Sequence, residues 1–326
     1  MSVLVTGGAG YIGSVTVERL VSEGRRVVVL DDLSKGHREA VHEGAVFVEG
    51  RIGDVDVVTR LVKEHGITSV IHFAARSLVG ESMERPGEYY EANVVDGAKL
   101  LDALANSGVR KLVFSSSAGV YGEPEAVPIG EGHRTRPVNV YGATKLAFEE
   151  VLGLYARHVG LRSISLRYFN AAGASERYGE DHDPETHLIP IALDVVLGKR
   201  PGITVFGDDY GTPDGTCIRD YIDVRDLSDA HILALEALDA GRSGIYNLGN
   251  GEGWSVLNVL DAVEDVTGRH VARSVGARRE GDPARLIASS SLAEKELGWR
   301  PAHSDLRDMV DSAWRWAKGH PNGYAS

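Results

Sequence analysis

Apolar positions along the chain follow two alternating rhythms. The runs SVLVT at 2–6, RRVVVL at 25–30, AVFV at 45–48, SVIHF at 69–73, KLVFSS at 111–116 and RSISLR at 162–167 are short and rich in β-branched residues. Near-continuous runs of this kind belong to strands buried on both faces. Between them, apolar residues recur at three- and four-residue spacing, the rhythm of amphipathic helices. Strand and helix in succession predict a parallel sheet covered by helices on both sides. Past about Asn170 the alternation loosens into loops punctuated by glycine and proline, with ITVF, CIRDYIDV and IYNLG as shorter strands. Helices are expected there near 187–198, 224–239, 255–267 and 303–318.

The first strand runs straight into TGGAGYIG, where Gly7, Gly10 and Gly13 open a helix. Glycine permits the tight turn and lets backbone amides meet a pyrophosphate at the helix N-terminus, where the macrodipole favours anions. The second strand ends in Asp31, whose carboxylate suits an adenosine ribose and repels a 2′-phosphate, so NAD is expected rather than NADP. The expected fold is α/β: a Rossmann-type doubly wound parallel sheet over residues 1–170, with a smaller mixed α/β C-terminal substrate lobe over 171–326. Some strands and helices of that lobe are free to return to the first domain.

The fifth strand ends in FSSSAGVYG, and NVYGATK follows at 139–145. Carboxyl ends of strands line the ligand crevice in such a sheet, which sets Ser117 beside the cofactor. Helical periodicity in LAFEEVLGLYARHVG, with Gly160 as a stop, puts Tyr141 and Lys145 one turn apart on one face. A phenol titrates near pH 10, and a base working at neutral pH needs about 4 kcal/mol of help. The Lys145 ammonium and a positive nicotinamide ring would both favour the phenolate. A packing face explains Tyr-x-x-x-Lys equally well in isolation; its place after the glycine turn and the serine-rich strand end argues for a Ser117, Tyr141, Lys145 triad.

Charge and composition narrow the class. Thirty-five basic against 47 acidic residues leave a formal charge of −12, which disfavours nucleic acid as a partner. A single cysteine, Cys217, excludes an internal disulfide and fits a reducing, cytoplasmic compartment. No export signal or membrane span is expected. EDHDPETH at 180–187 groups histidines and acids without a helical metal spacing, so it reads as a solvated loop and no metal is expected.

The strings VTGGAGYIGS, HFAA, VGES, FSSSAGVYGEP, YGATKLAFE, LRYFNAAGA, DDYGTPDGTCIRDYIDV, YNLGNG and RREGDP resemble the extended short-chain dehydrogenase/reductase family, specifically its UDP-glucose 4-epimerase branch. The resemblance runs from Ser2 to the last expected helix. It implies an isomerase in which tyrosine takes the proton of the sugar's 4-hydroxyl while bound NAD oxidises C4, and the 4-ketose turns over before reduction on its other face. Tyr141 would be the base, Lys145 would lower its pKa and hold the nicotinamide ribose, and Ser117 would bond O4. The positions carried over for NAD are Tyr11, Ile12, Asp31, Ile52, Phe73, Ala74, Asn93 and Phe169. For the UDP-sugar they are Asn170, Leu188, Val205, Phe206, Arg219, Arg279 and Asp282. Family members commonly pair as two-fold dimers through helices near 87–107 and 142–159, which makes a homodimer the expected assembly.

Departures from the family pattern carry expectations of their own. Arg51 replaces an adenine-reading aspartate and either weakens cofactor binding or stacks on the base. Ser77 stands where some members have lysine, and Gly119 widens the pocket beside the sugar. His187 takes the place of an asparagine near the phosphates. Leu286, or Arg285 if the alignment slips by one, lines the C2 substituent, and leucine leaves room for N-acetylated sugars. Two readings compete: a nucleotide-sugar 4,6-dehydratase, which needs an acid and a base where Ala118 and Gly119 stand, and a non-catalytic NAD-binding homologue.

Overall fold

The computed structural model describes residues 2–279 and 282–324. Seven parallel strands form the central sheet, in the order Gly244–Leu248, Arg162–Tyr168, Lys111–Ser117, Ile67–His72, Ser2–Thr6, Arg26–Asp31, Val46–Glu49. The order reverses direction between Ser2–Thr6 and Ile67–His72, the switch point at which a doubly wound sheet opens a crevice.

Side chains alternate across each strand, so the apolar runs feed two separate cores. Val3, Val5, Val27 and Val29 join one cluster, and Leu4, Val28 and Leu30 join the other on the opposite face. The first of these clusters also takes in Leu227, Leu235 and Leu238 of the helix Val224–Asp239 and the indole of Trp299. The sheet therefore draws its seventh strand and much of one covering layer from residues beyond 170.

The rest of the second half packs around Leu193, Val205, Leu260 and Val310. Two short parallel strands, Ile203–Phe206 and Arg273–Gly276, lie side by side there. Residues 217–224, expected as one strand, form two: Ile218–Arg219 and Tyr221–Asp223. Asp220 breaks them apart because its buried carboxylate accepts the amides of Asn250, Gly251 and Ala288 at 2.8, 3.0 and 3.0 Å. Among the described residues, no helix is long and apolar enough to cross a membrane.

Candidate active site

The glycine turn is shaped by close approach. Gly7 has φ 74°, and a Cβ there would lie 2.5 Å from the Ala74 nitrogen; a Cβ on Gly13 would lie 2.1 Å from the Gly7 oxygen. Both positions hold the helix Tyr11–Ser22 against the sheet, while Gly10 caps that helix with room around it. Asp31 is buried, and its two oxygens accept the amides of Ala9 and Leu33, each at 2.9 Å. Burial pushes the Asp31 pKa up, and those amides pull against it. Tyr11 donates to the Gly173 carbonyl at 2.6 Å, tying the turn to the second half of the chain.

A cavity of about 830 Å³ opens over this turn. Gly7, Gly10, Tyr11, Ile12, Gly13 and Asp31 line one end, with Ile52, Phe73 and Ala74 beside them. Ser117, Tyr141, Lys145, Phe169 and Asn170 line the other end. Asn93 is not part of the lining: its amide is buried, holding both the nitrogen and the oxygen of Arg76 and the Thr144 hydroxyl. It shapes the wall through Arg76, which does reach the cavity.

The triad comes from a strand end and a capped helix. Asn139 caps the helix Val140–Val159 by accepting the Gly142 amide at 2.8 Å, and Gly160 ends it in the left-handed region. Tyr141 and Lys145 thus lie on its first turns, beside Ser117 at the end of Lys111–Ser117. Lys145 Nζ donates to the Ser115 carbonyl at 2.8 Å and stands 5.7 Å from the centre of the Tyr141 ring. Burial pushes the Tyr141 phenol up, with a hydrogen bond to Ser117 pulling it back, and burial lowers Lys145 to about 7. For the phenol, desolvation is the larger of these two effects and the Ser117 hydrogen bond the smaller.

One turn beyond Lys145, Glu149 meets Arg167 in a buried ion pair, each side chain 5% exposed. Arg167 Nε donates to Glu149 Oε1 at 2.9 Å, Ser116 donates to that same oxygen at 2.5 Å, and Arg167 Nη1 donates to the Tyr121 hydroxyl at 3.0 Å. Tyr121 in turn donates to Asn247 at 2.7 Å. Three neighbouring strands and the helix that carries Tyr141 and Lys145 are locked together by this network. Sequence reading missed it, and it missed Tyr168, which lines the cavity opposite Ser117 in the strand register and bonds to Ser115. The strand-end rule that nominated Ser117 applies equally to Tyr168.

The positions nominated for the UDP moiety fall in two groups. Asn170 belongs to the cavity wall, whereas Leu188 opens the helix Leu188–Val196 and packs against the second-half core. Arg219 pairs with Asp282, and the Arg279 guanidinium lies 4.2 Å over the Phe206 ring. Val205, the residue before Phe206 on its strand, points into the core instead. Residues 280 and 281 of the RREGDP string lie outside the described residues.

Departures from the family pattern now have surroundings. Arg51 is tied to Asp96 at 2.8 Å at the edge of the cavity, and that carboxylate also takes Lys99. Ser77 lines the cavity, and a Cβ on Gly119 would sit 3.3 Å from Ser117 Oγ and 3.9 Å from Tyr141 Cδ1, between two triad members. Leu286 packs against the cluster of Ala118, Val120 and Phe169, and neither it nor Arg285 is among the residues that line the cavity. Segment 180–187 is a loop with Asp183, Pro184, Thr186 and His187 exposed, as expected, but Glu180, His182 and His187 line the cavity, and the Glu180 and Glu185 side chains are only 7% and 8% exposed. Pairing with imidazoles is what lets these carboxylates leave water. Burial works against the Glu180 charge, but His187 and His182 outweigh it and hold the carboxyl at about 2.

The chain resembles known proteins over its whole length. A model of the NAD dependent epimerase/dehydratase family matches residues 3–249. UDP-glucose 4-epimerase from Halalkalibacterium halodurans is 51% identical, the match covering 100% of this chain and 98% of that one. The UDP-glucose 4-epimerase of Corynebacterium glutamicum is 52% identical over 96% of this chain and 95% of its own. The crystal structure of UDP-glucose-4-epimerase from Stenotrophomonas maltophila, with bound NAD and formylated UDP-arabinopyranose, superposes with a TM-score of 0.95 at 43% identity, covering 98% of this chain and 99% of that one.

Proposed function

Since this chain belongs to the NAD dependent epimerase/dehydratase family, we propose that it interconverts UDP-glucose and UDP-galactose by inverting C4 of the sugar, with NAD as cofactor. The observation that carries this reading is the meeting of Ser117, Tyr141 and Lys145 with the glycine turn and Asp31 in one cavity of about 830 Å³. The chain's own residues fit the dinucleotide: an amide-bearing helix N-terminus stands ready for a pyrophosphate, and a sheltered carboxylate suits a ribose. Bound NAD supplies reversible oxidation at C4, so the sugar passes through a 4-ketose with no net redox change.

In this reading Tyr141 takes the proton of the 4-hydroxyl and returns it to the new alcohol, and Ser117 hydrogen-bonds O4. Burial holds the phenol up in the protein alone, so its lowering depends on Lys145 remaining charged and on the positive charge that arrives with the cofactor. Arg219 and Arg279 anchor the diphosphate through paired donors. A ketose tethered by its nucleotide can rotate without leaving, which keeps it at very high effective concentration. Ala118 and Gly119, next to Ser117, offer neither acid nor base, which disfavours elimination of water by a 4,6-dehydratase. Proton NMR of UDP-galactose with the purified protein and no added cofactor tests the reading. Growth of the UDP-glucose anomeric signal supports it, and an unchanged spectrum even after NAD is added defeats it.

Leucine at 286 leaves room for a C2 acetamido group, so UDP-GalNAc and UDP-GlcNAc are expected to turn over as well. Leu286→Trp should abolish N-acetylated turnover while UDP-galactose is still converted; equal loss of both substrates would count against Leu286 as the gate. The assembly proposed is a homodimer through the helices Asp96–Asn106 and Val140–Val159. Val95, just before the first of these helices, and Leu154 on the second leave apolar side chains 41% and 48% exposed. Sedimentation at micromolar concentration should give twice the chain mass, and Leu154→Glu should shift it to the monomer.

A further inference from the structure

Glu180, His182, Glu185 and His187 each bring a donor atom to within 4.8 Å of the other three, a grouping that the activity proposed above does not require. His187 Nδ1 lies 2.7 Å from Glu180 Oε1 and 2.9 Å from Glu185 Oε1. His182 Nδ1 lies 3.1 Å from Glu180 Oε1 and 3.8 Å from Glu185 Oε2. Two sheltered carboxylates converge here on two imidazoles, and the charge between them can be supplied by the protons of those imidazoles or by a cation that replaces those protons. We propose that these four side chains bind a divalent transition-metal ion of the zinc class, which clasps segment 180–187 over the nucleotide cavity.

The donor set and spacing fit that ion. Two imidazole nitrogens and two carboxylates suit zinc and its neighbours better than calcium or magnesium, which prefer all-oxygen cages. Tetrahedral bonds of about 2.0–2.1 Å put ligand atoms roughly 3.3 Å apart. The imidazole–carboxylate separations above, 2.7 to 3.8 Å, lie around that edge, and the four donor atoms all fall within 4.8 Å of one another, so the cluster need contract only modestly to close on an ion. Glu185 is already held in place, since its Oε1 accepts the amides of Thr186 and His187 at 2.7 and 2.8 Å. The segment is also tied to the nucleotide end of the cavity, because Lys35 Nζ donates to the Asp183 carbonyl at 2.6 Å and His37 Nε2 lies 2.9 Å from the Asp181 carbonyl. It then leads directly into Leu188–Val196. A metal at this point would rigidify the segment between those two ties and the start of that helix, whatever sugar nucleotide the cavity accepts.

The test uses the full, untagged chain, stripped with a chelator and titrated with Co²⁺, whose d–d absorption reports tetrahedral N/O ligation. One equivalent per chain, displaced by Zn²⁺, is the expected result, together with a zinc-dependent rise in unfolding temperature that the chelator reverses. His182→Ala/His187→Ala should weaken cobalt binding on the order of 100-fold or more. If that variant fails to fold, His187→Asn alone should still bleach most of the absorption. Absence of cobalt bands in the wild-type chain overturns the proposal and leaves an ion-pair network in its place. Undiminished binding in the folded variant overturns it too, because the ion must then sit elsewhere.

Discussion

Replacing Tyr141 with phenylalanine is expected to lower turnover of UDP-galactose by about 10²- to 10⁴-fold, the usual worth of a positioned acid–base group. The phenylalanine ring fills the same buried volume, so folding and cofactor content should be nearly unchanged. Only the hydroxyl that exchanges a proton with O4 is lost. Initial rates by NMR give the first quantity, and chromatography of nucleotide released on denaturation gives the second. A variant that keeps a tenth or more of the wild-type rate would exclude Tyr141 as the base. A variant that loses both turnover and bound NAD would assign the phenol to cofactor binding instead. The contrast also separates an enzyme from a non-catalytic NAD-binding protein, in which the substitution would leave no activity to lose.

Arg167→Met is the second large effect, and it acts on stability. Glu149 and Arg167 are both 5% exposed, and the substitution strands a buried carboxylate that also holds the Ser116 hydroxyl. Removing one partner of such a pair costs about 3–5 kcal/mol. For a chain of this size that corresponds to a fall of about 4–7 °C in Tm. Burial works against the Arg167 charge, and Glu149 more than compensates, keeping the guanidinium pKa above its ordinary value. The double variant Glu149→Leu/Arg167→Met should recover much of the loss, because no charge is left stranded. Thermal unfolding followed by circular dichroism measures both variants, and a single-variant Tm within about 2 °C of wild type would show that the pair contributes little. Turnover should fall with stability, since Glu149 lies one turn from Lys145 on the helix that carries the base.

Local sequence determined the parts of this protein that depend on local periodicity. Val3, Val5 and Leu4 alternate between two cores because a strand repeats every two residues, and both faces of this sheet are covered. Tyr141 and Lys145 share a face because a helix repeats every 3.6 residues. Gly7 and Gly13 were legible because only a residue without a Cβ survives contacts as close as 2.5 and 2.1 Å. Asn93 shows the limit of transferring a role by position: the residue is near the site, but its amide is spent on Arg76 and Thr144.

Tertiary structure alone decided what long-range contacts bring together. Gly244–Leu248 completes the sheet next to Arg162–Tyr168, and no nearby residue announces that pairing. Arg167 reads as an anomaly in an apolar strand until Glu149 arrives from the following face of the preceding helix. Segment 180–187 looks solvated because its composition is polar, and Asp183, Pro184, Thr186 and His187 are exposed, yet Glu180 and Glu185 leave water because polar groups there satisfy one another. Two glutamates, two histidines and the carbonyls taken up by Lys35 and His37 do so over the cavity. Periodicity records which face of an element is buried; it carries no record of which distant charge will neutralise a polar group, and that choice is made only when the chain closes on itself.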